Sequence, residues 1–317
     1  MSDDTDRTGS GGMVLYLAGA TACGKSAVGA RLAALLGAEV VCADSYQLLR
    51  GLEVLTAQPG AEECGEAPHW LYGSQGVGEV MNAGRYAELA WPVVRDVQSR
   101  GAVPVVVGGS GLYLKALTHG LSNLPAADAA LRRELDQLSA QEAVDWLLRL
   151  DARAGEGINL RNPRHVQRAL EISLLSGRPA REVKESFVRG PHAGAAGIVL
   201  VRERGDVVRR IEARTRKMVA DGVVEEVRAV AAVAGPTAAS AIGFREFAEV
   251  GCGEMRVDDA VAAVALATRQ YAKRQASWFR RESWMEAVPV SEDDSAAAVA
   301  DRVLAVLRNR GFSAGQH

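Results

Sequence analysis

The chain has 317 residues, 48% of them hydrophobic and 24% charged, an ordinary globular composition that excludes a disordered chain and suggests about two domains. Its four cysteines (Cys23, Cys42, Cys64, Cys252) form no CxxC pair, which excludes a zinc ribbon or a dense disulfide framework and fits a reducing cytosol. The net charge is only −2, yet residues 161–189 and 202–217 each carry seven Lys/Arg against three Asp/Glu, and residues 269–281 carry five against none. Such a split fits either one face built for a polyanion or three solvated helix faces that never meet.

No apolar run approaches the ~20 residues of a membrane span, and the opening MSDDTDRTGSGG is too polar and acidic for a signal or transit peptide. A cytoplasmic protein without membrane contact is therefore expected, with residues 1–12 as a disordered tail. Met13–Leu17 is a short apolar run before a glycine loop and predicts a buried parallel strand. A helix is expected over Lys25–Leu36, with Val28, Leu32, Leu35 and Leu36 on one face. Strands follow at Glu39–Cys42 and Val103–Val107, with a helix over Ala83–Arg100 between them presenting Leu89, Val93 and Val97. Strands alternating with helices predict a parallel sheet covered on both faces.

After Ser122 the patterns become helical, at Ala129–Leu138 and Gln141–Leu150, and no convincing strand appears before Ile198–Val201. A helix is expected over Val207–Val230. Another, over Val257–Arg281, carries Val257, Val261, Val264, Thr268, Tyr271 and Trp278 on one stripe and Arg269, Lys273 and Arg280 within about 40° of one another. Pro289 opens a final segment with one short helix near Ser295–Arg308. The expected organisation is an α/β fold with a P-loop NTPase-like parallel sheet core at 13–122 and 196–290. A helical insertion domain occupies 123–195, and a C-terminal tail 291–317.

Gly19-Ala20-Thr21-Ala22-Cys23-Gly24-Lys25-Ser26 matches GxxxxGK[ST] directly after a strand and before a helix, the context this phosphate loop requires. Backbone N–H groups and the helix N-terminus would surround a diphosphate, Lys25 would add a positive charge, and Ser26 is placed to ligate Mg²⁺. A nucleoside triphosphatase also needs a strand ending in an acid that holds Mg²⁺. Val103–Val107 ends instead in Gly108-Gly109-Ser110-Gly111. The only strand-end acid is Asp44, which could be a Mg²⁺ ligand, a helix N-cap, or a general base beside the diphosphate.

In chain order, GATACGKS, ADSYQLLRGL, VLTAQP, APHWLYG, VGGSGLYLKALTHGLSNLP, GVVEEV, AIGFREF and RQYAKRQASWFRR together resemble the tRNA dimethylallyltransferases, over residues 13–285. The resemblance implies transfer of a dimethylallyl group from its diphosphate to N6 of the adenosine just 3′ of a tRNA anticodon. The phosphate loop would then hold the prenyl diphosphate, which explains the missing acid after Val107. Adenine's exocyclic amine is a weak nucleophile, so a nearby base and a stabilised leaving group are required.

Carried over by position, Asp44 is similar to the base that takes the N6 proton, and Ser45, Tyr46 and Gln47 lie in the stretch contacting the target nucleotide. Ser110 resembles a hydroxyl near the reacting centre, and Arg214 the arginine that helps bind the diphosphate. Arg132 and the stretch Arg164-His165-Val166-Gln167-Arg168 fall where the family touches tRNA, although Arg164-His165 replaces a usual glutamine–arginine pair. Lys273 and Arg280 complete the expected RNA contacts. The implied partners are the anticodon stem-loop of a tRNA and dimethylallyl diphosphate, with Mg²⁺ as cofactor and a monomer as the working unit. His69 and His119 have no partner at ligand spacing and are expected to be structural. The rival activities are a P-loop nucleotide or small-molecule kinase and an AMP-prenylating, cytokinin-forming enzyme. An RNA-binding GTPase-like switch is disfavoured by the lack of an NKxD pattern.

Overall fold

A computed structural model describes residues 12–65, 67–120, 125, 128–185 and 190–310. The expected N-terminal tail, apart from Gly12, lies outside the described residues, as do 311–317 of the C-terminal tail. In chain order the first elements are β1 (Val14–Gly19), α1 (Lys25–Leu36), β2 (Glu39–Cys42), β3 (Leu49–Arg50), α2 (Ala61–Cys64), β4 (His69–Trp70), β5 (Gln75–Gly76), α3 (Ala83–Ser99), β6 (Pro104–Gly108) and α4 (Gly111–Thr118). The helices α5 (Ala129–Leu135), α6 (Ala140–Leu150), α7 (Pro163–Ser176) and α8 (Ala180–Glu185) follow. The chain continues as β7 (Ala195–Arg202), α9 (Arg204–Ala220), α10 (Val223–Val230), α11 (Pro236–Ala239), α12 (Phe244–Gly251), α13 (Val257–Phe279), β8 (Met285–Val290) and α14 (Ala296–Asn309).

Six strands form one sheet in the order β4-β2-β6-β1-β7-β8, and every neighbouring pair runs parallel. Residues of β1, β2 and β6 are buried on both faces, which is why these segments read as continuous apolar runs rather than alternating ones. Leu15, Leu17, Val105 and Val107 pack with Val28 and Leu32 of α1 and with Val303 and Leu307 of α14. Gly29 lets α1 lie against the sheet, because a Cβ there would come within 2.7 Å of a Val107 methyl. β8 pairs only with β7, so Pro289 sits in an edge strand, where its missing N–H leaves no ladder bond unmade. Pro289 thus lies inside the last strand rather than opening a new segment, and the expected tail from residue 291 starts directly after β8. A second, two-stranded parallel sheet joins β3 and β5; both strands are two residues long, too short to leave a periodic signal.

Three helical readings change. The helix expected over 207–230 is two helices, broken where Gly222 adopts φ +88°, a conformation that glycine tolerates and β-carbons resist. The buried stripe of α3 runs through Tyr86, Ala90, Val94 and Val97, one residue away from Leu89 and Val93. On α13 the buried set is Ala260, Val264, Ala265, Thr268, Ala272, Gln275 and Phe279, while Val257 and Trp278 are exposed. Small residues carry the interface there, so a reading that weighted large apolar side chains rotated the stripe.

The chain divides into two compact units, one made of residues up to Thr118 with those from Pro191 onward, the other His119–Gly190. The second unit lies where the helical insertion was expected at 123–195, except that residues 191–194 lead into β7 and Ala195 is already in it. Its core is built from Leu135, Leu147, Ile158, Val166, Leu170 and Ile172. Local signals start its helices: Ser139 and Glu142 form a reciprocal cap on α6, and the Asn162 side chain accepts from the Arg164 N–H ahead of Pro163 at the start of α7.

Candidate active site

The phosphate loop connects β1 to α1 at the carboxyl edge of the sheet, where ligands bind in open α/β folds. Lys25 is 9% exposed at the start of α1, and its neighbours Ala22 (φ +65°) and Gly24 (φ +96°) hold the left-handed backbone that wraps the loop. Outside the loop, Arg210 Nε donates to the Ala22 carbonyl at 2.9 Å and Arg202 Nε to the Cys23 carbonyl at 3.2 Å. These bonds orient two carbonyls away from a bound anion. Thr21, Ala22, Gly24, Lys25 and Ser26 line a cleft of about 780 Å³. Gly19, Ala20 and Cys23 do not line it. Cys23 is 1% exposed with its side chain in the sheet core, so only its backbone could meet a diphosphate. The Thr21 N–H is also engaged, donating to Gln275 Oε1 at 2.7 Å, so only the rest of Thr21 faces the cleft.

The strand end of β2 supplies Asp44, Tyr46 and Gln47 to the same cleft. Asp44 Oδ1 accepts from the Tyr46 N–H at 3.2 Å, a turn that Asp forms with its own backbone two residues on. Gly108 makes this arrangement possible, because a Cβ on it would collide with the Ala43 backbone. With the exits of β2 and β6 in contact, Ser110 Oγ accepts from the Ser45 N–H at 2.9 Å and lies 3.3 Å from Ser45 Oγ. Ser45 and Ser110 thus hydrogen-bond each other rather than line the cleft, and fix the Asp44 turn from behind. Both Gln47 donor hydrogens are taken, by the carbonyls of Thr56 at 3.1 Å and Ala57 at 2.7 Å; only its side-chain oxygen is left to read a nucleotide.

Arg214 of α9 lines the cleft, and its Nε is buried with no hydrogen-bond partner. Burial pulls its pKa down, and the Asp44 charge opposes this while Arg210 adds to it. Such a guanidinium is suited to an anionic partner. Arg210 and Lys217 line the cleft beside it. Several cations of segment 202–217 are paired within the protein. Arg202 pairs with Asp206, Arg209 with Glu292 at 2.6 Å, and Lys217 with Asp221 at 2.8 Å.

The cleft also has an apolar wall, formed by Val54, Leu55, Met218, Ile242 and Val264, which pack in one cluster. Glu226 of α10 holds that wall, its carboxylate accepting from the N–H groups of Val54 at 2.7 Å and Leu55 at 2.8 Å. Burial raises the Glu226 pKa against these two bonds. Tyr271 closes the cleft from α13, and burial, followed by the nearby Asp44 charge, pushes its hydroxyl up. Sequence reasoning missed Arg210, Lys217, Glu226 and Gln275. Gln275 alone left a usable signal: it lies four residues after Tyr271 on the apolar stripe of α13, where a buried amide must have partners.

In the second unit the expected RNA contacts divide. Arg132 donates to both oxygens of Glu171, at 3.0 and 3.1 Å, and Arg168 pairs with the same carboxylate and donates to the Pro125 carbonyl at 3.0 Å. Val166 is 1% exposed in the core of the unit and so is not an RNA contact. Gln167 donates to Asp136 at 3.1 Å. Arg164 and His165 are exposed. In the first unit Lys273 and Arg280 are exposed on α13, and among the described residues no carboxylate pairs with either. Arg269 meets Glu212 at 3.3 Å. His69 Nδ1 lies 2.8 Å from the Ala67 carbonyl, a structural contact.

A family model described as IPP transferase matches residues 47–282. The chain belongs to this family. Over 298 residues it is 37% identical to the tRNA dimethylallyltransferase of Akkermansia muciniphila, spanning 93% of this chain and 99% of that relative. Over 294 residues it is 40% identical to the tRNA dimethylallyltransferase of an Anaeromyxobacter species, spanning 90% and 98%. The crystal structure of a full-length tRNA isopentenylpyrophosphate transferase from Bacillus halodurans matches with a TM-score of 0.68 at 28% identity, covering 94% of this chain and 98% of that one. A eukaryotic dimethylallyltransferase, captured in crystallographic snapshots acting on tRNA, matches with a TM-score of 0.81 at 21% identity, covering 95% and 79%. At that identity the likeness is one of fold. IPP transferase membership is consistent with a phosphate loop whose neighbouring strand, β6, ends in glycine and serine rather than in an acid. No helix among the described residues is long and apolar enough to cross a membrane.

Proposed function

We propose that this chain transfers the dimethylallyl group of dimethylallyl diphosphate to N6 of the adenosine 3′ of the anticodon in tRNA, releasing diphosphate. The observation that carries this reading is that one cleft is lined both by cations, Lys25, Arg210 and Arg214, and by an apolar cluster with Val54, Leu55 and Ile242. A small apolar group attached to a diphosphate matches both. A nucleoside triphosphate would leave the apolar wall unused.

In this reading Lys25, Arg214 and the loop N–H groups hold the diphosphate and stabilise the charge that grows on it as the C1–O bond breaks. The N6 lone pair forms the new bond to C1, and Asp44, which lines the cleft, takes the N6 proton. A Mg²⁺ ion fits the donors present. The Ser26 hydroxyl and Asp44 carboxylate are hard oxygens lining the same cleft, and among the described residues no cluster of three His, Cys, Asp or Glu side chains forms a cage. That donor set suits an ion kept mainly by substrate phosphates and water, with Ser26 as its protein ligand and Asp44 left free to act as the base. Bound there, the ion would neutralise charge on the leaving diphosphate.

Incubating the protein with unmodified tRNA, labelled dimethylallyl diphosphate and Mg²⁺ tests the activity: label should enter tRNA as N6-(dimethylallyl)adenosine. ATP hydrolysis or a phosphorylated product in its place overturns the reading. Asp44→Asn should lower the single-turnover rate about 10²–10⁴-fold with little change in binding. Substantial rescue of that variant by excess Mg²⁺ would make Asp44 a metal ligand rather than the base. The monomeric state is proposed with the same function and is checked by light scattering with and without tRNA.

A further inference from the structure

We propose that Gln275 is a positioning residue for this transfer, a buried amide that sets the diphosphate loop against the loop carrying the acceptor side of the site. Gln275 is 5% exposed on α13. Its Oε1 accepts from the Thr21 N–H at 2.7 Å, and its Nε2 donates to the Gly109 carbonyl at 2.9 Å. These partners fix the amide orientation, since the Thr21 N–H needs an acceptor and the Gly109 carbonyl a donor. Glycine at 109 admits the amide, because a Cβ there would occupy its nitrogen. One turn further along α13, the Trp278 indole lies against Gly111 for the same reason, so the helix grips the Gly109–Gly111 turn at two points.

Gln275 is one link in a chain that spans the site. Thr21 joins Gln275, which joins Gly109. Next in sequence, Ser110 accepts from the Ser45 N–H, and Ser45 follows Asp44. The two loops leave different strands, β1 and β6, and each controls one reactant. A displacement needs the nucleophile and the carbon about 3–3.5 Å apart and aligned, so an error of about 1 Å in loop placement can cost about 10²-fold. Only a group that both donates and accepts can satisfy Thr21 and Gly109 together. A glutamate at neutral pH would confront the Gly109 carbonyl with a second acceptor, and a methionine would satisfy neither partner.

The inference rests on the proposed transfer and is tested so that the two fail differently. Gln275→Met and Gln275→Glu are compared with the unaltered protein. Single-turnover transfer is measured at saturating tRNA and dimethylallyl diphosphate, binding of inorganic diphosphate and of tRNA by calorimetry, and exchange of the Thr21 and Gly109–Gly111 amides by hydrogen–deuterium exchange. Gln275→Met should slow the single-turnover rate about 10–10²-fold while both dissociation constants stay within about threefold. Exchange at the two loops should rise about tenfold or more, because the bridge no longer restrains them. Gln275→Glu should be similarly slow at about pH 8 and should approach the unaltered protein, measured at the same pH, at about pH 5.5. Burial and the facing Gly109 carbonyl both disfavour the charged form and should raise this glutamate's pKa well above the ordinary value; once protonated, the carboxyl accepts from Thr21 and donates to Gly109 as the amide does. An unchanged single-turnover rate in Gln275→Met, a rate loss explained by weakened diphosphate binding, or a ratio for Gln275→Glu that is flat with pH overturns the proposal. If the unaltered protein transfers no prenyl group, the functional reading fails. The exchange measurement then decides the bridge alone, and unchanged exchange in Gln275→Met overturns it.

Discussion

Two arginine-rich segments with the same charge count are put to opposite uses. In α9, Arg214 lies beside Arg210 in a cleft with a buried, unpartnered Nε, and among the described residues no carboxylate forms an ion pair with it, although the Asp44 charge acts on it. In the helical unit, Arg132 and Arg168 converge on Glu171, itself 1% exposed, and form an internal tie between α5 and α7. An unpaired buried cation costs stability and selects for an anionic ligand. A buried carboxylate between two guanidinium groups serves the fold, because removing one partner strands the others. The charge of a segment therefore says little about its use until the acids facing it are known.

The sharpest way to break this comparison is Arg214→Gln. It should lower the single-turnover rate of transfer about 10²–10³-fold, the usual loss when a preorganised donor to developing negative charge is removed. The thermal midpoint should hold steady or rise, because an unsatisfied buried cation is gone. Activity within threefold of the unaltered protein would separate Arg214 from the leaving group. Glu171→Gln should do the reverse. It should destabilise the helical unit by about 1–3 kcal/mol, since two guanidinium groups lose their charged acceptor, while inorganic diphosphate binding in the cleft stays unchanged. Calorimetric melting together with titration reads both effects.

Acid should expose the same tie. Burial pushes the Glu171 carboxyl up, but hydrogen bonds from Arg132 and Arg168, with a third from the Asp128 N–H, outweigh it and hold its pKa below the ordinary glutamate range. A carboxyl with a lowered folded pKa contributes stability that is complete above its unfolded pKa and is lost as pH falls through the folded value. Melting of the unaltered protein should therefore show an acid-induced loss below the ordinary glutamate range that Glu171→Gln lacks. Identical acid profiles would mean that the tie does not couple to stability. The smallest effect concerns the exposed cations. Lys273→Ala or Arg164→Ala should weaken tRNA binding about equally across tRNA sequences and lower the slope of log affinity against log salt by roughly one unit each. Unchanged slopes would make these side chains solvated surface.

Much of the active-site reading follows from residues close together in the chain. The phosphate loop, the Asp44 turn and the acid-free end of β6 are each encoded within eight or so consecutive residues, because a glycine turn, an Asp that caps its own backbone and a strand–helix junction are local devices. The parallel core was equally legible, since strands buried on both faces produce unbroken apolar runs such as Met13–Leu17 and Val103–Val107. Tertiary structure alone decided what each polar group touches. Nothing near Gln275 in the sequence names Thr21 or Gly109, 254 and 166 residues away, and nothing near Arg132 names Glu171, 39 residues away. Val166 sits in a polar stretch that resembles an RNA-binding motif, yet it points into a core assembled from four helices. Periodicity encodes which side of a helix is apolar, whereas the partner of a buried charge or amide is settled only when distant segments are packed against it.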